Sequence, residues 1–252
     1  MTFIGRSHPL TSNGLAAAAA SMSVAVQEVW TVLNVETAGC GFLPDRRPNI
    51  LYERHIFHRL TGGRFDDGNL SDSRPGGYGP AGPHQYDRLT AAMNLDRDAA
   101  SKSTSWGLGQ VLGENFGVAG FTSVDALVSA MSDSEDSQLA AMSAFILHRR
   151  LDRALATHDW ASFARGYNGP AFATNHYDVR LRGEFQKLSA GVVPNVDIRA
   201  AQLFLIFRGF HPGPVDGFVG RFTRAAILEF QASSGLNQTG IVDDELLAKL
   251  TL

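Results

Sequence analysis

One helical stretch constrains this chain more than any other. Across residues 24–36 the apolar side chains Val26, Val29, Trp30, Val32, Leu33 and Val35 fall on nearly every side of a helix, and the stretch closes on a single carboxylate, Glu36. A helix without a polar face has to be surrounded by protein, so the fold must be built around it. Glu36 then points with the core face, three residues on from Leu33 and seven from Val29. The run before it, Leu15 to Ala20 with Met22 and Val24, has the look of a signal sequence. Its basic flank is thin, only Arg6 and His8, and it continues into the helix, so it reads as part of the mature fold. No stretch reaches the roughly 20 apolar residues of a membrane span.

Helical periodicity continues to Leu188, predicting helices at 85–93, 124–131, 137–156 and 175–188. The third carries Ala141, Phe145, Leu147 and Leu151 at core spacing. One interruption, between Gly39 and Pro83, is rich in Gly, Pro, Asp and Arg and holds the one convincing strand, at 49–57. There Leu51, Glu53, His55 and Phe57 share a face, and a small β-hairpin inside a helical domain is expected. At 189–194 the sequence SAGVVP breaks the helical pattern, and Asn195 is a good N-cap. The boundary is placed there, giving domains at 1–190 and 195–252. The second reads as three short helices at 196–208, 221–233 and 244–250, with Gly209 and Gly235 as helix stops.

Composition excludes several classes. Of the 252 residues 44% are apolar, enough for a real core, and a charged fraction of 19% with net charge −3 fits neither disorder nor a nucleic-acid footprint. Cys40 is the single cysteine, so no internal disulfide forms and folding needs no oxidising compartment. His55 and His58 form an H-x-x-H, but on a strand they face opposite sides and cannot share an ion, so no metal is expected. The stretch PGGYG at 75–79 lacks the strand-to-helix setting of a phosphate loop and reads as a flexible loop edging a cleft.

A carboxyl group desolvated at a helix C-terminus has its charged form disfavoured by burial and by the helix dipole, which raises its pKa. A general acid acting near neutral pH needs that, and contributes about 10² to 10⁴ in rate. Position alone fits Glu36 equally to a terminal glutamate turned to solvent. Glu53 has its own alternative, an ion pair with Arg54 or Arg59; Asp45, Asp66 and Asp67 are fallback carboxylates.

Three motifs bear on that choice. E-T-A-G after the buried helix, S-W-G-L-G-Q at 105–110 and Y-N-G at 167–169 resemble, in order, the goose-type lysozyme and soluble lytic transglycosylase superfamily. A closer resemblance, carried by ETAGCGFLPDRRPNILYERHIFHRLTGGRFD, PGGYG and STSWGLGQVLG, is to the phage and bacterial N-acetylmuramidases. The chain departs from them at Cys40, Arg46 and Tyr52, where a serine, a glycine and a phenylalanine are usual. The resemblance implies a mainly α, lysozyme-like α+β catalytic domain that cleaves the β-1,4 bond between N-acetylmuramic acid and N-acetylglucosamine. It makes Glu36 the catalytic acid and Glu53 the second carboxylate, with Ser105, Gln110, Tyr167 and Asn168 lining the glycan groove.

Residues 195–252, with R-G-F at 208–210, G-P-V-D-G at 213–217 and G-I-V-D at 240–243, resemble the three-helix peptidoglycan-binding domain. Arg221 and Thr223 are taken as exposed wall contacts. The expected partner is bacterial peptidoglycan, without nucleic acid, membrane or cofactor, and the expected state is a monomer. The chain is expected to be made in a host cytoplasm without an evident signal peptide and to act on the wall in the periplasm, as a phage endolysin or a secreted antibacterial effector. The rival readings are a lytic transglycosylase, which uses one glutamate and leaves 1,6-anhydro ends, and a non-catalytic wall-binding protein.

Overall fold

The all-apolar helix forms as expected, but two residues shorter and preceded by a sharp corner. The computed structural model describes residues 3–37 and 39–251. Met1, Thr2 and Leu252, at the edges of the expected domains, and Ala38 of E-T-A-G lie outside the described residues. The alanine-rich helix α1 (Ser12–Met22) is made of the best helix former and is capped by Thr11, which accepts from the Gly14 amide. Ser23 turns left-handed at φ 54° and ends it, so the apolar run does not continue unbroken. α2 (Val26–Glu36) leaves across a 105° bend. No single helix among the described residues is long and apolar enough to cross a membrane. Val29, Trp30, Val32 and Leu33 are at most 2% exposed.

The strand expected at 49–57 is mostly helix. Only β1 (Ile50–Tyr52) is extended, and α3 (Arg54–Leu60) starts directly after Glu53, whose carbonyl accepts from the Ile56 and Phe57 amides. The alternation in LYERHIF fits a strand, but Phe57 and Leu60, three residues apart, serve a helical face equally, and packing against the core decides for the helix. After α4 (His84–Leu95) and α5 (Arg97–Lys102), the chain returns as β2 (Thr104–Trp106) and β3 (Val111–Leu112). These form an antiparallel sheet in the order β1-β2-β3, with Leu51 opposite Ser105 and Ser105 opposite Leu112. The hairpin is therefore β2–β3, and β1 joins it from the preceding loop region.

α6 (Val124–Asp133) is followed by α7 (Glu135–His148), which is capped by Ser134. The helix expected at 137–156 breaks at Arg150, at φ 56°, and resumes as α8 (Asp152–Ala156). The break leaves Leu147 exposed while Leu151 stays buried. α9 (Trp160–Asn168), capped by Asp159, carries the Y-N-G motif at its end. α10 (Tyr177–Ala190) packs along α2, and α1 along α7, so α2 is enclosed as its sequence requires.

A second core gathers Phe204, Leu205, Ile227, Phe230 and Leu246 from α11 (Val196–Phe207), α12 (Arg221–Ser233) and α13 (Asp244–Thr251). Asn195 caps α11 by accepting from the Asp197 and Ile198 amides. Gln202 organises the G-P-V-D-G turn: its Oε1 accepts from the Asp216 and Gly217 amides at 3.0 and 2.9 Å. Gly217 sits at φ 77°, where a Cβ would come within 2.8 Å of the Asn195 carbonyl, so glycine is required. Phe42, Leu203 and Val215 form a third buried cluster that joins the two cores.

Candidate active site

The C-terminus of α2 opens into a cleft of about 260 Å³ lined by Glu36, Thr37, Cys40, Asn49, Leu51 and Gln110, with Ala81 and Gly82 at its rim. Thr37 ends α2 by returning both its amide and its hydroxyl to the Leu33 carbonyl, at 2.9 and 2.7 Å. Arg180 of α10 donates to the Val35 carbonyl at 2.8 Å, filling another free acceptor at that helix end. Glu36 is thus carried into the cleft rather than turned to solvent. Burial pushes its carboxyl up from the ordinary 4.5 to about 7, against the opposing pull of the Asn168 hydrogen bond and the Arg180 charge. Asn168 Nδ2 donates to Glu36 Oε2 at 3.0 Å. Among the described residues Glu36 Oε1 is buried with no hydrogen-bond partner. A carboxyl group half-protonated near pH 7, with one oxygen held and the other uncommitted, is suited to passing a proton to an oxygen in the cleft.

Glu53 continues β1 in extended backbone, at φ −105° and ψ 92°, so its side chain leaves from the same strand face as Leu51, which lines the cleft, although Glu53 itself is not among the lining residues. Neither arginine proposed as its partner takes it. Arg54 donates to the Gly68 carbonyl at 2.6 Å and pairs with Asp72 at 3.3 Å, and Arg59 pairs with Glu114 at 2.6 Å. Its neighbours are the Tyr78 hydroxyl, which hydrogen-bonds the carboxylate, and His55 Nδ1, 3.3 Å from Oε2. Burial raises its pKa, and the Tyr78 bond works in the opposite direction, favouring the carboxylate. Burial together with Arg59 and Arg54 holds His55 below the usual imidazole range.

Two of the fallback acids, Asp45 and Asp67, are committed elsewhere, and the third, Asp66, is exposed. Asp45 pairs with Arg47 at 2.6 Å, Asp67 accepts from the Asn69, Leu70 and Ser71 amides, and Asp66 stands 3.8 Å from His58 Nδ1. His55 and His58 lie on a helix, where i and i+3 share a face, so the strand argument against chelation fails. Among the described residues no group of three or more His, Cys, Asp or Glu is placed to hold a metal. The PGGYG loop is tied down: Gln85 Nε2 donates to the Tyr78 and Pro80 carbonyls at 2.8 and 2.7 Å, while its Oε1 accepts from the Tyr52 amide.

Of the other expected groove residues only Gln110 lines this cleft; Tyr167 lines a second one that shares Gln110, and Ser105 lines neither. Ser105, in β2, is 8% exposed and faces the side of Leu51 through their pairing. Gln110, at φ 46°, spends its amide hydrogens on the Gly107 and Asn49 carbonyls, at 2.8 and 3.3 Å, which removes it as a donor to a sugar. The Tyr167 hydroxyl donates to the Gly109 carbonyl at 2.8 Å and fastens the 107–110 turn to α9. Arg180, Asn49 and Tyr78 were not singled out from the sequence, because an arginine in an ordinary amphipathic helix and a tyrosine in a glycine loop carry no local signal.

Comparison with known proteins decides the family. The family model for N-acetylmuramidase matches residues 25–189, and that for the peptidoglycan binding domain matches residues 194–250. The chain belongs to the N-acetylmuramidase family. Among solved structures, the crystal structure of the Burkholderia AP3 phage endolysin is 40% identical over 73% of this chain and 72% of that chain, with a TM-score of 0.67. No curated protein matches. This muramidase is a glycoside hydrolase with a helical peptidoglycan-binding domain at its C-terminal end. In that domain Arg221 is exposed, its guanidinium 4.6 Å over the exposed Phe222 ring. Thr223 is not exposed as expected. It is 2% accessible, and its hydroxyl donates to the Pro212 carbonyl and accepts from Gln202, so its place in the motif is structural. A separate cleft of about 290 Å³ lies between Asp197, Val219, Arg224 and Ile241.

Proposed function

We propose that the muramidase cleaves the β-1,4 bond between N-acetylmuramic acid and N-acetylglucosamine, with Glu36 as the general acid and Glu53 as the second carboxylate. The observation that carries this reading is the state of Glu36: half-buried, near pKa 7, held at one oxygen by Asn168 and uncommitted at the other, which is buried. The proton on Glu36 goes to the glycosidic oxygen as the bond to the anomeric carbon breaks. Glu53, whose carboxyl burial pushes up while the Tyr78 hydrogen bond favours the ionised form, faces the developing positive charge as its carboxylate; water adds to the anomeric carbon, its proton passing to a carboxylate, and the muramic acid is left with a reducing end. Asn168 orients the acid, and Ser105, Gln110 and Tyr167 shape the groove that receives the glycan. Residues 1–190 act as the catalytic domain and 195–252 as the wall-binding domain, with Arg221 as a contact. The likeness to a phage endolysin supports action on the wall of a bacterium in whose cytoplasm the chain is made.

Product analysis tests the reading. Purified peptidoglycan digested by the wild type should yield muramic acid ends that borohydride reduces, seen as a mass gain of the reduced alditol. Glu53→Gln should lose most of that activity. Anhydro ends that resist reduction, formed equally well by Glu53→Gln, would identify a transglycosylase and remove Glu53 from the mechanism.

A further inference from the structure

Arg199 lies in the first turns of α11, inside the peptidoglycan-binding domain, yet it is 2% exposed and its guanidinium is spent on the catalytic domain. Nη1 pairs with Glu135 Oε2, and Nη2 donates to Glu135 Oε1 and to the Gly39 carbonyl, both at 2.9 Å. Glu135 opens α7, is fully buried, and uses the same two oxygens to hold backbone: Oε1 accepts from the Gly41 amide at 2.7 Å and Oε2 from the Leu10 amide at 2.8 Å. A buried ion pair stands when the geometry is bidentate and the remaining lone pairs are filled, as here. The backbone held this way, Gly39 to Gly41, is the turn that leads out of Glu36, and Cys40 within it lines the cleft. The binding domain touches the turn a second time: a Cβ on Gly39 would stand 3.6 Å from the Val215 carbonyl, and the Val215 side chain is buried with Phe42 and Leu203 in the cluster against which Cys40 of the turn packs.

We propose that the C-terminal domain completes the catalytic centre: Arg199 is a positioning residue that fixes the Gly39–Gly41 turn, and through it Glu36, so this domain governs turnover as well as wall attachment. The inference rests on Glu36 being the acid. A flexible tether would act only by raising local concentration, a benefit that disappears on soluble substrate. A positioning contact acts on every substrate. Lysine keeps the charge opposite Glu135 but lacks the planar fork that reaches Glu135 and Gly39 together.

The test compares the full-length wild type with Arg199→Lys, Val215→Ala and Glu36→Gln in three measurements: steady-state kinetics on soluble, peptide-free glycan chains, sedimentation with insoluble peptidoglycan, and thermal melting. Arg199→Lys should sediment and melt cooperatively like the wild type while kcat on soluble chains falls about tenfold or more, with KM within about twofold. Val215→Ala should shift kcat in the same direction by less. Wild-type kcat in both variants overturns the proposal, as does a loss seen only on insoluble wall in step with lost sedimentation. If Arg199→Lys does not melt cooperatively, Val215→Ala is judged by the same criteria. An active Glu36→Gln refutes the acid assignment itself, whereas an inactive Glu36→Gln beside wild-type-like Arg199→Lys and Val215→Ala refutes only the positioning role.

Discussion

At the scale of the residue, the acid role proposed for Glu36 ties activity to stability. Its carboxyl titrates near 7 in the folded chain against 4.5 ordinarily, because burial disfavours the charge. Between those values the unfolded chain ionises and the folded chain does not, so stability that is complete below about 4.5 is lost as pH rises through about 7, by at most roughly 3 kcal/mol. Glu36→Gln removes the penalty: calorimetry should find its Tm equal to the wild type near pH 4 and higher near pH 8, and an equal difference at both would contradict the shift. Asn168 works the other way, since its amide favours the ionised form. Asn168→Ala should move the basic limb of the kcat–pH profile to higher pH and, by releasing the acid, lower kcat about tenfold. The burial of α2 was legible because an all-apolar helix must be enclosed, but position alone left Glu36 free to turn to solvent, and only the motifs that follow it pointed to the cleft. Arg180, which adjusts Glu36, comes from far along the chain and left no trace in local pattern.

At the scale of the element, caps and turns carried most of the readable information. Asn195 was legible as the start of α11 because its side chain can satisfy two amides that a helix start leaves bare, and it does. Asn195→Ala should cost about 1 kcal/mol in chemical denaturation. Local pattern does not separate strand from helix at 49–57, because an alternating heptapeptide fits both periods and only the core that Phe57 enters distinguishes them. The break at Arg150 was missed for a similar reason, as Leu147 and Leu151 keep helical spacing across it. The turn after β2 shows what sequence did record: Gly107 lies at φ 68°, and a Cβ there would meet Gln138 Cδ at 2.5 Å. Gly107→Ala should therefore destabilise the fold by about 1 to 3 kcal/mol and disturb the cleft that Gln110 lines.

At the scale of the whole molecule, two cores are joined by a third apolar cluster and a buried ion pair. The sequence marked the break between them but not their contact, because a boundary shows in local composition and an interface does not. Leu203 is fully buried in the joining cluster, so Leu203→Ala should cost about 2 to 5 kcal/mol and split one calorimetric transition into two. Two transitions in the wild type would show that the domains melt independently. The measurement that bears most directly on the whole account is turnover of soluble glycan chains by Glu36→Gln, followed through newly formed reducing ends. The account predicts a loss of about 10² to 10⁴ in a variant that still melts cooperatively, and activity within a few-fold of the wild type would contradict it.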